Sequence, residues 1–298
     1  MNLSRPARVT LRIAAGLGFA VIYVPLLLVL VNSLNPDRSS GWPPPGLTFD
    51  WWVAAWHSSG ARDALWTSVR AGLGATAIAL VLGTLIAFAC QRYKFFGREA
   101  ISFVVVLPIA LPGIVTGVAL NTAFRTVLEP LGVGLGMFTV VVGHATFCIV
   151  VVFNNVIARL RRMPGSYEEA AMDLGARPWK VFFLITIPMI APSLAAGGMM
   201  SFALSLDDLV LASFVSGPGS TTLPMEVFSA VRLGVKPEIN AVASLILLAV
   251  SIVTFMVWFF SRRAEESRRR AIQQAIEEAA ADSWKQPDVR RAQAPEAA

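Results

Sequence analysis

Charge is scarce in this chain. Of its 298 residues, 15% are Asp, Glu, Lys or Arg, whereas 55% are apolar and the mean hydropathy is +0.63. A soluble domain carries roughly 25% charged residues, so an ordinary water-soluble globule is excluded and a membrane class is expected. Cysteine and histidine are nearly missing, with two of each. Cys90 and Cys148 both fall within apolar runs, where they read as small buried hydrophobes, not as a disulfide framework or a metal set. His144 sits in an apolar run and reads first as a satisfied packing histidine, with a polar interhelical contact or a pathway residue as the alternatives, and His57 stands alone in a loop. No G-x-x-x-x-G-K-[ST] sequence occurs, so the chain has no phosphate cradle of its own and is no ATPase. No nucleophile or metal constellation suggests a membrane-embedded enzyme.

What is abundant is long apolar sequence. Runs at 13–31, 69–90, 101–124, 136–157, 189–214 and 241–260 are each long enough to cross a hydrocarbon core of roughly 30 Å, which predicts six spans in an all-α polytopic protein. The expected organisation is a tail over 1–12, a membrane domain over 13–260 with its core at about 66–260, and a charged tail over 261–298. The first run follows Arg5, Arg8 and Arg12 but lacks a small-residue cleavage pattern, so it reads as a retained anchor. Arg70, at the start of the second run, can snorkel. In the third run, Gly113 and Gly117 beside Pro108 and Pro112 predict close packing on a kinked helix.

The basic residues orient these spans. Nineteen of the 25 Lys and Arg residues fall in the two tails and the second-to-third and fourth-to-fifth connections, and five fall in the other connections. The positive-inside rule places the nineteen, and both termini, in the cytoplasm. Membrane topology therefore accounts for the net charge of +6 without any nucleic-acid partner. Trp42, Trp51, Trp52 and Trp56 crowd the first outward connection, which suits a membrane-interface belt or contact with a periplasmic partner.

Two polar segments interrupt the pattern. In the first, Ser166 three residues before Glu169 predicts a capping box and a short helix beginning near Tyr167. Gly175 is its natural stop, and Pro178 suits the first turn of a second helix. Ala170, Ala171 and Leu174 share a face on which another surface can approach closely, with Glu168, Glu169 and Asp173 on or beside it for a partner's basic groups. On the capping pattern alone, an ordinary amphipathic surface helix is the first reading.

The spacing Glu169-Ala170-Ala171, three residues, Gly175, nine residues, Ile185-Thr186-Ile187-Pro188 resembles the EAA motif of ABC importer permeases, with Ile187 where that family usually has Leu. The resemblance implies a type I importer permease fold and a cytoplasmic coupling segment over 164–188 that seats in a groove of an ATPase subunit. It assigns Glu168, Glu169, Ala170, Ala171, Asp173, Leu174, Gly175, Arg177 and Pro178 to that coupling.

The second segment is Ser205-Leu206-Asp207-Asp208-Leu209, which holds the acidic residues of the apolar runs. Carboxylates at membrane depth are costly and mark functional candidates. At 1.5 Å per residue, Asp207 lies about 28 Å along the axis from Pro188, near the outer mouth. Adjacent helical residues diverge by about 100°, so one carboxylate can face a cationic substrate while the other bonds a neighbouring helix or loop amide. Anchoring of the outer loop is the other reading. The stretch 201–243, with Ser213-Phe214-Val215-Ser216-Gly217-Pro218-Gly219 and Val231-Arg232-Leu233-Gly234, is similar to the polyamine branch of the same permeases.

That likeness implies a substrate pathway at Asp207, Asp208 and Glu226, and a heterodimer with a second permease subunit. It also implies two ATPase subunits that bind ATP and Mg, a periplasmic polyamine-binding protein, and an inner-membrane location amid lipid. No cofactor is expected on this chain. Ferric iron, thiamine or an oxyanion are alternative cargoes, because the coupling motif serves all of them. An ion-driven transporter is a further alternative, against which stands the lack of charge deep in the spans.

Overall fold

The computed structural model describes residues 4–37, 43–233, 237–248 and 250–252, together with 255, 256, 259, 262, 263, 273 and 274. The chain divides into two compact units, Met1–Val31 with Asn240–Ala298, and Asn32–Ile239. In the first, α1 (Arg5–Ser33) is a continuous apolar helix whose side chains are exposed along most of its length. Such an all-round apolar surface has lipid as its natural solvent. Residues 240–248 are helical, and the rest of the predicted sixth span and the charged tail fall largely outside the described residues.

The second unit is built on three long helices, α3 (Ser59–Arg92), α6 (Met137–Arg162) and α9 (Ile187–Asp207). Along α3 the buried positions are small: Ala64, Ala71, Gly72, Ala75, Ala79, Gly83 and Ala87 recur at helical spacing. In lipid, helices gain little from burying apolar surface, so close backbone approach over small residues does the joining. Gly83 shows how close. A Cβ there would lie 3.0 Å from the Ile149 carbonyl oxygen. The shared core continues through Cys148, Val152, Phe153, Val156, Ile157 and Leu160 of α6 and Ile190 of α9. Both cysteines are free and buried, and Cys148 exchanges contacts with Ser201 through both side chains and both carbonyls.

The predicted spans change in three places. The second begins ten residues before the apolar run, at Ser59, and the guanidinium of Arg70 stacks 5.0 Å from the Trp66 ring instead of standing at a helix start. The third is two helices, α4 (Arg98–Ala110) and α5 (Gly113–Val127), meeting at 108°. Pro112 in extended geometry ends the chain direction of α4, so the prolines break the run where a kink was expected. The close contact of Gly117 is present, against Phe214. The fifth span starts earlier than the apolar run, being continuous from Pro178, and stops at Asp207. A separate helix, α10 (Val210–Val215), follows it.

A second small core of Ala71, Phe124, Val140, Leu211 and Val215 joins α3, α5, α6 and α10. The end of α10 is tied down by two side chains, Asn121 donating to the Phe214 carbonyl and Thr139 donating to that of Val215. In the first connection, α2 (Asp50–His57) carries Trp51, Trp52 and Trp56, and Trp42 lies outside the described residues. Trp51 and Trp52 are half-buried and donate their indole N–H groups to the Asn35 carbonyl and the Ser33 hydroxyl, so they fasten this connection, whereas Trp56 is exposed as a belt residue would be.

Candidate functional site

The first polar segment folds as helix, turn, helix. The first helix, α7 (Ser166–Asp173), is followed by α8 (Pro178–Val181), a π-helical turn (Phe182–Thr186) and then α9. Gly175 has φ of 83°, the left-handed conformation a residue past a helix end often needs, and Pro178 occupies the first turn of α8. The predicted capping box is absent. Ser166 lies inside the first turn, Gly165 caps with its carbonyl accepting from the amides of Glu168 and Glu169, and no side chain makes a cap bond. With the box unmade, the Glu169 side chain is left exposed.

Glu168 corrects the expectation more sharply. It does not stand open to a partner but is the one buried residue of α7. Its Oε2 lies 2.9 Å from Nε of Arg92 at the end of α3, and its Oε1 accepts a 2.9 Å bond from the Thr186 hydroxyl. Arg92 also donates, at 3.4 Å, to the carbonyl of Met163 just past α6. By contrast Glu169, Asp173 and Arg177 are exposed and make no ion pair among the described residues. Ala170 and Leu174 are exposed too, Leu174 to 90%, and Ala171 is partly so. The result is an uncovered face of small and apolar side chains, rimmed by both signs of charge. Phe96, fully exposed in the connection between α3 and α4, adds apolar surface that the motif did not flag.

The two adjacent carboxylates part company at the end of α9. Asp208 has left the helix, and its Oδ2 accepts a 2.8 Å bond from the amide of Ala212 in the first turn of α10. The same oxygen is 3.4 Å from Nε2 of His144, a fully buried side chain whose Nδ1 is 2.6 Å from the Ser205 hydroxyl. His144 thus reaches from α6 to α9 through Nδ1, while its Nε2 has no hydrogen bond among the described residues. Asp208 is engaged by the fold through Oδ2, between α10 and α6. Asp207 is exposed and has no hydrogen bond or ion pair among the described residues. Glu226, in α11 (Leu223–Arg232), is half-buried beside Gly60 at the start of α3. Sequence reasoning missed Arg92, Thr186 and Ser205 as partners, since each is an isolated polar residue 18 to 76 positions from the group it serves.

Comparison with known proteins agrees with this architecture. The putrescine transport system permease protein PotI of Escherichia coli strain K12 is 44% identical over 269 residues, covering 87% of this chain and 93% of that protein. The spermidine/putrescine transport system permease protein PotC of Haemophilus influenzae is 34% identical over 236 residues, covering 79% and 90%. Among solved structures, a bacterial ABC transporter involved in the import of the acidic polysaccharide alginate superposes with a TM-score of 0.68 over 87% of this chain and 98% of that one. At 17% identity, that likeness shows the fold: an all-α, polytopic type I importer permease. The family model for binding-protein-dependent transport system inner membrane components matches residues 79–269, and the chain belongs to that family of ABC importer permeases.

Proposed function

We propose that this chain is the permease subunit of an ATP-driven importer that carries polyamines, with putrescine as the cargo, across the bacterial inner membrane. The observation that carries the reading is the 44% identity to a putrescine permease along 87% of the chain. The exposed carboxylate of Asp207, at the end of α9 and without a partner among the described residues, supports a cationic cargo. Glu226 is the second pathway candidate.

The chain works with a second permease subunit, two ATPase subunits that bind ATP and Mg, and a periplasmic binding protein that delivers the cargo. The open face of α7 seats on an ATPase subunit, and the nineteen basic residues hold that face in the cytoplasm with both termini. ATP binding draws the ATPase subunits together and displaces α7. The spans then rock from inward-open to outward-open, and hydrolysis resets them. Such coupling needs two global states that differ in their contacts at both ends.

The test is uptake of labelled putrescine in cells that lack their own polyamine import and express this chain with its partner subunits. Uptake that needs both ATP hydrolysis and the binding protein is expected. A fully assembled system that imports ferric iron, thiamine or an oxyanion and leaves putrescine outside would overturn the substrate. A cross-link from Ala171→Cys to the ATPase subunit is expected as well, and its absence in an active complex would overturn the docking.

A further inference from the structure

One carboxylate joins the ends of three spans to the short helix that faces the ATPase. Glu168 is buried, although every neighbour of it on α7 is exposed or partly so. Its two oxygens have separate partners: Arg92, which terminates α3 and also reaches the Met163 carbonyl behind α6, and Thr186, which closes the π-helical turn leading into α9. Burying an acidic and a basic side chain together costs desolvation that a well-packed apolar pair would avoid, so stability alone is a weak reason for placing them here. A π-helical turn is rare and recurs at functional sites. Its last residue is the one that holds the carboxylate.

We propose that Glu168, Arg92 and Thr186 are positioning residues that transmit displacement of α7 to α3, α6 and α9, a role distinct from docking. The exposed side chains of α7 and its turn, Tyr167, Glu169, Met172 and Leu174, receive the push. Being short and peripheral, α7 offers the spans little other purchase: its buried side chain is Glu168. Movement of α7 therefore pulls on the ends of α3 and α9 directly and on α6 through Arg92. The proposal rests on the docking of α7 in the reading above, and it adds the route by which docking reaches the spans.

The test compares uptake per ATP hydrolysed in the assembled transporter, purified and reconstituted with its partners, for Glu168→Gln, Arg92→Gln, Thr186→Val and the charge exchange Arg92→Glu with Glu168→Arg. The cross-link from Ala171→Cys to the ATPase is made in each background. In the single variants the cross-link and ATP hydrolysis are expected to persist while uptake per ATP falls roughly 5- to 150-fold, the span of a coupling between sites. The charge exchange is expected to recover part of the loss. Unchanged uptake per ATP in assembled Glu168→Gln and Arg92→Gln complexes would overturn the proposal. Where those variants do not accumulate, Thr186→Val decides, because it leaves no buried charge unpaired: a fall supports the transmission and unchanged coupling overturns it. Loss of the cross-link already in the otherwise unaltered, active complex would instead refute the docking.

Discussion

At Asp207 and Asp208, two neighbouring residues of one chemical type have been given different work. Asp208 holds the Ala212 amide and lies beside the buried ring of His144, so its removal orphans that N–H and takes the carboxylate away from the ring. Leaving such buried groups unsatisfied costs about 1–3 kcal/mol. Asp208→Ala is expected to lower the amount of protein in the membrane, read by quantitative immunoblot of membrane fractions. Asp207 satisfies nothing within the described residues. Asp207→Asn is expected to leave the protein level unchanged and to cut putrescine uptake roughly tenfold or more, the worth of a charge-assisted contact of about 1.5–3 kcal/mol. Equal behaviour of the two variants in both measurements would contradict the division. Sequence alone shows that the two side chains diverge. It does not show which one turns inward, because that depends on His144 and Ser205, 64 and 61 positions from Asp208 and His144 respectively.

Among the elements, α7 and α8 were the most legible from sequence because their boundaries are set locally. Gly175 supplies the left-handed turn and Pro178 the start of the next helix. A Cβ at Gly175 would meet no atom within 4 Å, so any effect of a side chain there is conformational and not steric. Gly175→Val is expected to strain the turn by roughly 1–2 kcal/mol and to reduce both uptake and the Ala171→Cys cross-link at an unchanged membrane level. Retention of both would show that the turn does not set the pose of α7. The capping box at the other end of α7 is not made because Ser166 is already the first helical residue and Gly165 takes the cap position, where it has no side chain to bond. The breaks at Pro112 and Asp208 were also not legible as breaks. Apolar content measures whether a segment can reside in lipid, and it runs unchanged across a bend whose freed backbone groups find protein partners.

For the whole molecule, the basic residues make an orientation that can be checked independently of transport. A reporter active only in the periplasm is expected to give signal when fused after Pro44 or Gly219 and none after Gly97, Gly175 or Ala280. The reverse pattern would place α7 on the wrong side for any ATPase and remove the coupling role at the same stroke. The spans themselves rest on small residues of α3 against α6 and α9 at one level and on Ala71, Val140, Leu211 and Val215 at the other.

The sequence by itself determined the membrane class, the positions of the long apolar runs, the orientation expected from charge and the helix-turn-helix with its Gly and Pro punctuation. Each of these follows from composition or from spacing within a few residues. Only the tertiary structure decided where the runs break, that Glu168 turns inward while Glu169 stays out, and that Asp208 holds the Ala212 amide. Those outcomes depend on contacts such as Arg92 to Glu168, 76 positions apart, and His144 to Asp208, 64 apart, which no local pattern encodes. A buried charge takes whichever partner packing brings within reach, and packing is a property of the assembled helices.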